Sequence, residues 1–199
     1  LAAMTALALL TGACSTEPHS LVETSQDEST GYSGTLLTPA VPRPDLTLAD
    51  IRGGTFSLAH RPAGEITALF FGYTHCPDVC PTPRPDVRDA VKRSPVPVRV
   101  IFVTIDPARD DAAALKQYLS FYNAGFVGLT GSAAEIRRAA DAWGVQYAKI
   151  DNGSANGYAM AHTADAFLVD AAGRLRDRIW FGAGPAVFDH APRWRRTAP

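Results

Sequence analysis

The chain has 199 residues, of which 46% are hydrophobic, and its formal net charge is −1. This length and apolar content suit a single domain with a buried core and exclude a wholly disordered chain. The nearly balanced charge lacks the basic excess that nucleic-acid binding requires, so we expect no nucleic-acid partner. Three cysteines are too few for a disulfide-rich scaffold, and each one needs its own explanation.

The N-terminal residues have the composition of an export signal. Residues 1–10 are uncharged and apolar, and such a short segment cannot cross about 30 Å of hydrocarbon as a helix. The segment Leu10–Ser15 (LTGACS) resembles a bacterial lipoprotein box, whose cysteine becomes lipidated. We therefore predict that residues 1–14 are a truncated lipoprotein signal with Cys14 as the lipidated residue. The alternative is a plain secretory signal with a chance cysteine.

Residues 15–44 are rich in Ser, Thr, Glu, Asp and Pro and show neither helical nor strand periodicity. Such a composition cannot bury enough apolar surface to fold alone. We therefore predict a disordered tether between an anchored N-terminus and the domain that follows.

Apolar segments separated by turn signals predict the elements of an α/β domain. In chain order they are a hairpin over 46–58, buried strands over 66–73 and 96–105, a helix over 111–122, a helix over 132–144 and a hairpin over 164–181. Residues 132–135 form the capping box that begins the second helix. This order predicts a three-layer α/β domain with a central mixed sheet and an N-terminal hairpin.

Two cysteines follow the first buried strand. Cys76 and Cys80 are four residues apart, so on a helix both sulfurs would face the same side. Two thiolates prefer a soft metal such as Cu(I), and a nearby imidazole would let the same site hold Cu(II). His162, just ahead of a predicted strand, is the candidate imidazole. Taken alone, the cysteine spacing also fits a structural disulfide or two buried thiols.

The cysteine segment Thr74–Pro81 (THCPDVCP) resembles the signature of the Sco/SenC family, thioredoxin-fold proteins that help to assemble the copper A site of cytochrome c oxidase. Three further segments are similar to the family in order and spacing. They are Val103–Asp110 (VTIDPARD), Val127–Ser132 (VGLTGS) and His162–Gly173.

This resemblance implies a thioredoxin-like domain over residues 45–182 in which Cys76, Cys80 and His162 hold copper, as Cu(I) or Cu(II). It also implies a partner, the copper A-bearing subunit of cytochrome c oxidase, with other copper chaperones as further candidates. Together with the lipoprotein box, it predicts a domain lipid-anchored to the bacterial cell membrane and facing outside the cytoplasm.

The chain departs from the family pattern in three places. Ala161 replaces the acid that usually precedes the histidine, so a carboxylate that orients the imidazole is either absent or supplied by Asp165. Prolines in the segment after Cys80 predict a short first helix that begins near Pro85. Residues 183–199 do not resemble the family's terminal helix and are treated as an atypical C-terminal segment.

The Asp-Pro-x-Arg-Asp part of the resemblance contains three charged residues, Asp106, Arg109 and Asp110. We expect them to form an ion pair that fixes the loop and a cap for the following helix. Docking of a partner is the alternative role.

Three functions fit the cysteine pair. The first is a metallochaperone that passes copper to the oxidase. The second is an enzyme, a thiol-disulfide reductase with Cys76 and Cys80 as its redox-active catalytic pair, acting on the cysteines of the oxidase subunit. The third, a peroxiredoxin-like peroxidase, would need a resolving cysteine elsewhere. His162 distinguishes the first two, because disulfide exchange does not need an imidazole there, whereas a Cu(II) site does.

Overall fold

The computed structural model describes residues 22–27, 32–62, 64–76, 89, 91–92, 94, 96–122, 125–151 and 157–180. The strands in these ranges are β1 (Val22–Asp27), β2 (Tyr32–Pro42), β3 (Thr47–Asp50), β4 (Thr55–Ser57), β5 (Ile66–Gly72), β6 (Val98–Thr104), β7 (Val127–Thr130), β8 (Tyr147–Ile150), β9 (Ala159–His162), β10 (Asp165–Val169) and β11 (Arg174–Trp180). The helices are a short 3-10 helix (Leu58–His60), α1 (Ala112–Ser120) and α2 (Ala133–Ala142).

One mixed sheet organises the described part of the chain, with the strand order β1-β2-β11-β10-β5-β6-β7-β3-β4. β5, β6 and β7 run parallel to one another, and the other neighbours in the sheet are antiparallel. β8 and β9 form a separate antiparallel hairpin. The predicted mixed sheet is confirmed, as are the hairpins β3–β4 and β10–β11.

The two helices cover opposite faces of this sheet. Alternate side chains of the central strand β5 enter different cores, because successive residues of a strand point to opposite faces. The core on the α1 side contains Ala68, Phe70, Phe102, Leu115 and Leu119. The core on the α2 side contains Leu69, Phe71, Val103, Ile136 and Ala140. The three-layer prediction is therefore confirmed.

The prediction of a disordered tether over residues 15–44 is wrong for the two ranges that form β1 and β2. β2 pairs antiparallel with β11, in a register that places Leu36 opposite Asp177 and Val41 opposite Leu175. Without β2, the backbone groups along one side of β11 would be unpaired, which is the usual liability of an edge strand. The polar composition of residues 15–44 as a whole did not predict β2, because this strand is stabilised by its pairing with β11.

Three four-residue strands, β7, β8 and β9, were not predicted from the sequence. β7 has only four residues and contains Gly128. A Cβ atom on Gly128 would lie 2.5 Å from Ile51 Cδ1 and 2.8 Å from Leu119 Cδ1, so close packing explains the glycine. The other two strands, β8 and β9, form the hairpin that carries His162.

Some predictions fall on residues that are not described. The expected start of a helix near Pro85 lies outside the described ranges, although Asp89, Val91 and Lys92 are helical. Residues 1–14 and 183–199 lie wholly outside them. Among the described helices, none combines the length and apolar character that a membrane crossing would need.

Candidate metal site

The segment that carries the first cysteine leaves the carboxyl end of the central strand β5. Tyr73 follows the strand and is buried, and Cys76 is half-buried against the core on the α2 side. Cys76 is disulfide-bonded, and its partner cysteine lies outside the described residues. The two other cysteines of the chain are the predicted ligand Cys80 and the predicted lipid attachment residue Cys14, and both lie outside the described residues.

Asp110, in the turn after the neighbouring strand β6, holds this segment in place. The Asp110 side chain is fully buried and accepts hydrogen bonds from the Thr74 backbone N–H (3.0 Å) and the Thr74 hydroxyl (2.7 Å). A third bond comes from the Thr104 hydroxyl, at 2.7 Å. The His75 side chain is exposed, and its Nδ1 lies 3.0 Å from Thr74 Oγ1 and 3.5 Å from Asp110 Oδ1. A buried carboxylate bonded in this way resists any shift of the residues just before Cys76.

His162 ends β9, where it is paired in register with Tyr147 of β8. Its ring packs edge-on against Tyr73, with ring centroids 6.1 Å apart and an interplanar angle of 84°. Tyr73 also binds this strand directly, because the Met160 backbone N–H donates to the Tyr73 hydroxyl at 3.3 Å. The structure thus brings His162 to the segment that leads into Cys76.

The protonation and orientation of His162 suit a metal ligand. Its Nδ1 lies 2.8 Å from the Thr163 carbonyl oxygen, and we assign a proton to Nδ1 because a carbonyl can only accept. The neutral tautomer then carries its lone pair on Nε2, the arrangement in which histidine commonly binds metals. Burial lowers the pKa of His162, and this effect outweighs the hydrogen bond to Thr163, which raises it.

The sequence left two possibilities for a carboxylate that orients the imidazole, its absence or its supply by Asp165, and the second is wrong. Asp165 Oδ2 accepts from Arg178 at 2.6 Å, across the β10–β11 hairpin. The Thr163 carbonyl takes the orienting role at Nδ1 instead. A main-chain carbonyl leaves no signature in the amino-acid sequence, so composition alone could not identify it.

The turn after β6 contains the expected ion pair, since Arg109 Nε lies 2.5 Å from Asp106 Oδ2. The expected helix cap is a different residue. Asp111 begins α1 by accepting from the Ala114 backbone N–H at 2.8 Å, whereas Asp110 points to Thr74. Three consecutive charged residues follow Ala108, and the sequence did not reveal which of them faced the helix.

Tyr158, which the sequence analysis missed, joins this turn to the histidine hairpin. Its hydroxyl donates to Asp106 Oδ1 at 2.8 Å, and its backbone carbonyl accepts from Arg109 Nη1 at 3.0 Å. The Arg109 guanidinium carbon lies 3.6 Å from the centroid of the Tyr158 ring, close enough for a cation–π contact. Burial and the hydrogen bond to Asp106 raise the pKa of Tyr158, so the hydroxyl stays protonated and can donate.

An open cleft of about 570 Å³ borders the turn and the histidine hairpin. Asp106, Arg137, Lys149 and Met160 are among the residues that line it. Within the described ranges, no three His, Cys, Asp or Glu side chains cluster as a complete metal site. Cys76 and His162 are the two predicted ligands that the structure describes.

Comparison with known proteins gives consistent matches across most of the chain. The sequence model of the family described as SCO1/SenC matches residues 39–188. A SCO2-like protein of Rickettsia conorii is 32% identical over 146 residues, which are 71% of this chain and 70% of that protein.

Two solved structures support the same relationship. ScoI of Bradyrhizobium japonicum, solved with copper bound, has 30% identity and a TM-score of 0.64, and the match covers 79% of this chain and 100% of that one. Apo Sco1 of Thermus thermophilus has 34% identity and a TM-score of 0.66, over 78% of this chain and 93% of that one. These matches confirm the thioredoxin-like fold that the resemblance implied.

Proposed function

Because this chain belongs to the SCO1/SenC family, we propose that it is a copper metallochaperone. Copper is held by Cys76, Cys80 and His162 and is delivered to the copper A site of cytochrome c oxidase. The copper-bound structure of the Bradyrhizobium japonicum relative supports the choice of metal. The oxidase as recipient follows from the family resemblance of the Thr74–Pro81 segment.

The placement of His162 is the observation that carries this proposal. The imidazole is half-buried and packs against Tyr73, which precedes Cys76 by three residues in the chain. The Nδ1 atom of His162 is hydrogen-bonded to the Thr163 carbonyl. A thiolate and a neutral imidazole together make a donor set that suits copper. Cys80, four residues after Cys76, would supply the second thiolate. When bound, copper is the cargo, and the chain's own residues orient the ligands.

Metal loading of the reduced protein tests the proposal. We expect one copper per chain after loading with Cu(I) or with Cu(II), followed by desalting and metal analysis. His162→Ala should weaken Cu(II) binding at least about tenfold while Cu(I) binding changes little, because two thiolates still satisfy a soft monovalent ion. A suitable control is His60→Ala, since His60 belongs to the 3-10 helix rather than to the site. Equal effects of both substitutions would remove His162 from the metal site.

A second function is favoured by one specific observation, the disulfide at Cys76. A residue that forms a disulfide can take part in thiol-disulfide exchange. In the proposed reductase reaction, reduced Cys76 and Cys80 give two electrons and two protons to a substrate disulfide and become disulfide-bonded themselves. The substrate would be the cysteine pair of the oxidase subunit, reduced so that it can accept copper.

We also propose that Cys14 carries lipid and anchors the domain at the outer side of the bacterial cell membrane. The supporting feature is the Leu10–Ser15 segment, which resembles a lipoprotein box. Anchoring would keep the domain near a membrane-bound oxidase.

A further inference from the structure

The turn after β6 contacts both halves of the proposed metal site. Arg109 and Asp110 are consecutive residues of this turn, and both of their backbone N–H groups donate to the Asp106 carbonyl, at 3.1 Å and 2.9 Å. The Asp106 N–H donates in turn to the Thr104 hydroxyl at 2.9 Å. The turn is therefore tied to the end of β6 by its own hydrogen bonds.

The two side chains act on different segments. Asp110 accepts from the backbone and hydroxyl of Thr74, two residues before Cys76. Arg109 donates to the carbonyl of Tyr158, four residues before His162, and stacks on the Tyr158 ring. A single short turn thus connects the cysteine segment to the histidine hairpin.

From this geometry we infer that Arg109 and Asp110 are positioning residues that set the separation between Cys76 and His162. The inference rests on the proposed copper site. Neither residue needs to touch the metal. Arg109 acts through Tyr158 on the hairpin, and Asp110 acts through Thr74 on the cysteine segment.

The inference predicts a specific signature in metal binding. Cu(I) can be held by the two cysteines alone, and both belong to one segment of the chain. Cu(II) also requires the imidazole, which is carried by a different hairpin. A change in the turn should therefore weaken Cu(II) binding selectively, whereas a general loss of stability would affect both oxidation states.

The experiment measures Cu(I) and Cu(II) affinities of the reduced full chain by competition with chelators, for Arg109→Gln and Asp110→Asn. Two matched controls remove the same charges elsewhere. Arg52→Gln breaks an ion pair in the β3–β4 turn, and Asp111→Asn alters the neighbouring acid, which caps α1. We expect both test variants to lose about tenfold or more in Cu(II) affinity, as is typical when a group that orients a ligand is removed. Cu(I) affinity and both controls should stay within about threefold of wild type.

A double-mutant cycle with His162→Ala separates positioning from other effects. In the His162→Ala background, Arg109→Gln should have no further effect on Cu(II) affinity, because Arg109 influences the metal only by positioning the imidazole. The electron paramagnetic resonance spectrum of bound Cu(II) should also change in Arg109→Gln and stay unchanged in Arg52→Gln.

Two results would overturn the inference while leaving the copper site intact. One is equal weakening of Cu(I) and Cu(II) in the test variants together with a lower urea midpoint, which would indicate a purely structural role. The other is Cu(II) affinity in the test variants equal to that of the controls. Failure of wild type to retain either ion is a separate outcome, and it would reject the copper site together with the positioning role.

Discussion

The Tyr73 ring packs edge-on against the His162 ring, and this contact joins the end of the central strand to the end of a hairpin that is remote in sequence. The Tyr73 hydroxyl accepts from the Met160 N–H, so the same side chain contacts two residues of β9, one through its hydroxyl and the other through its ring. Tyr73 is therefore the direct packing link between the cysteine segment and the histidine, and the turn of Arg109 and Asp110 is a second, polar link.

Tyr73→Phe should destabilise the domain by about 1–3 kcal/mol, because the buried Met160 N–H would lose its acceptor while the ring contact with His162 is kept. Urea unfolding followed by circular dichroism measures the change. Tyr147→Phe is the control, since the described contact of Tyr147 with Arg137 is made by its ring. Unchanged stability in Tyr73→Phe would show that water replaces the hydroxyl at no cost.

The strands β5 and β6 could be predicted from their continuous apolar runs, and both are confirmed. Cys76 and His162 were predicted as ligands from ligand chemistry and family resemblance, and their metal-binding role stays a prediction. Tyr158 and the Thr163 carbonyl were missed because their roles depend on tertiary contacts with residues far away in the chain or on the backbone itself.

The same limit explains the errors at the edge of the sheet. β2 lies within a segment, residues 15–44, whose composition as a whole is polar, and it forms a strand because it pairs with β11. Local propensity is a weak guide for such strands, since pairing and burial decide the outcome.

The burial of His162 predicts a pH dependence of stability in the metal-free protein. Burial lowers the pKa of His162 in the folded chain below the value of about 6.5 expected when unfolded. As the pH falls below about 6.5, the unfolded chain therefore binds a proton more readily, and the free energy of unfolding decreases. Above about pH 6.5 the imidazole is mostly neutral in both the folded and the unfolded chain, so burial of His162 no longer lowers the free energy of unfolding.

His162→Asn should remove this component. Urea midpoints measured from about pH 7.5 to pH 5.5 should decline less steeply in the variant than in wild type. Parallel pH profiles for the two proteins would contradict the lowered pKa. An independent check is the imidazole titration of His162, followed by nuclear magnetic resonance.

Gly128→Ala should destabilise the domain by about 1–3 kcal/mol, the usual cost of overpacking a well-filled core. The added methyl group would collide with Ile51 Cδ1 and Leu119 Cδ1. Ile51→Val removes the nearer of these atoms, so the double variant should be more stable than the sum of the two single changes predicts. Strict additivity in urea unfolding would show that the two sites do not share this space.

Cys14 should carry lipid when the full-length precursor is expressed in a bacterial host that processes lipoproteins. Mass spectrometry of the membrane fraction should then show an acylated N-terminus beginning at Cys14. Cys14→Ser should abolish the modification and release the protein from the membrane fraction. Recovery of wild type only as an unmodified, released form would reject the anchor.

The copper role and the reductase role should separate in His162→Ala. Cys76 and Cys80 belong to both chemistries, whereas the imidazole belongs only to metal binding. We therefore expect His162→Ala to lose Cu(II) retention and oxidase assembly while it still reduces a disulfide substrate. Cys76→Ser and Cys80→Ser should lose both activities.

The measurements are copper A assembly in strains that carry each variant and disulfide reduction by the purified proteins. Loss of one of three ligands should exceed a tenfold drop in affinity, which corresponds to about 1.4 kcal/mol. If His162→Ala assembled the oxidase normally while either cysteine variant failed, metal retention at the imidazole would be dispensable. The disulfide at Cys76 would then be the functional feature, and the protein would act as a reductase.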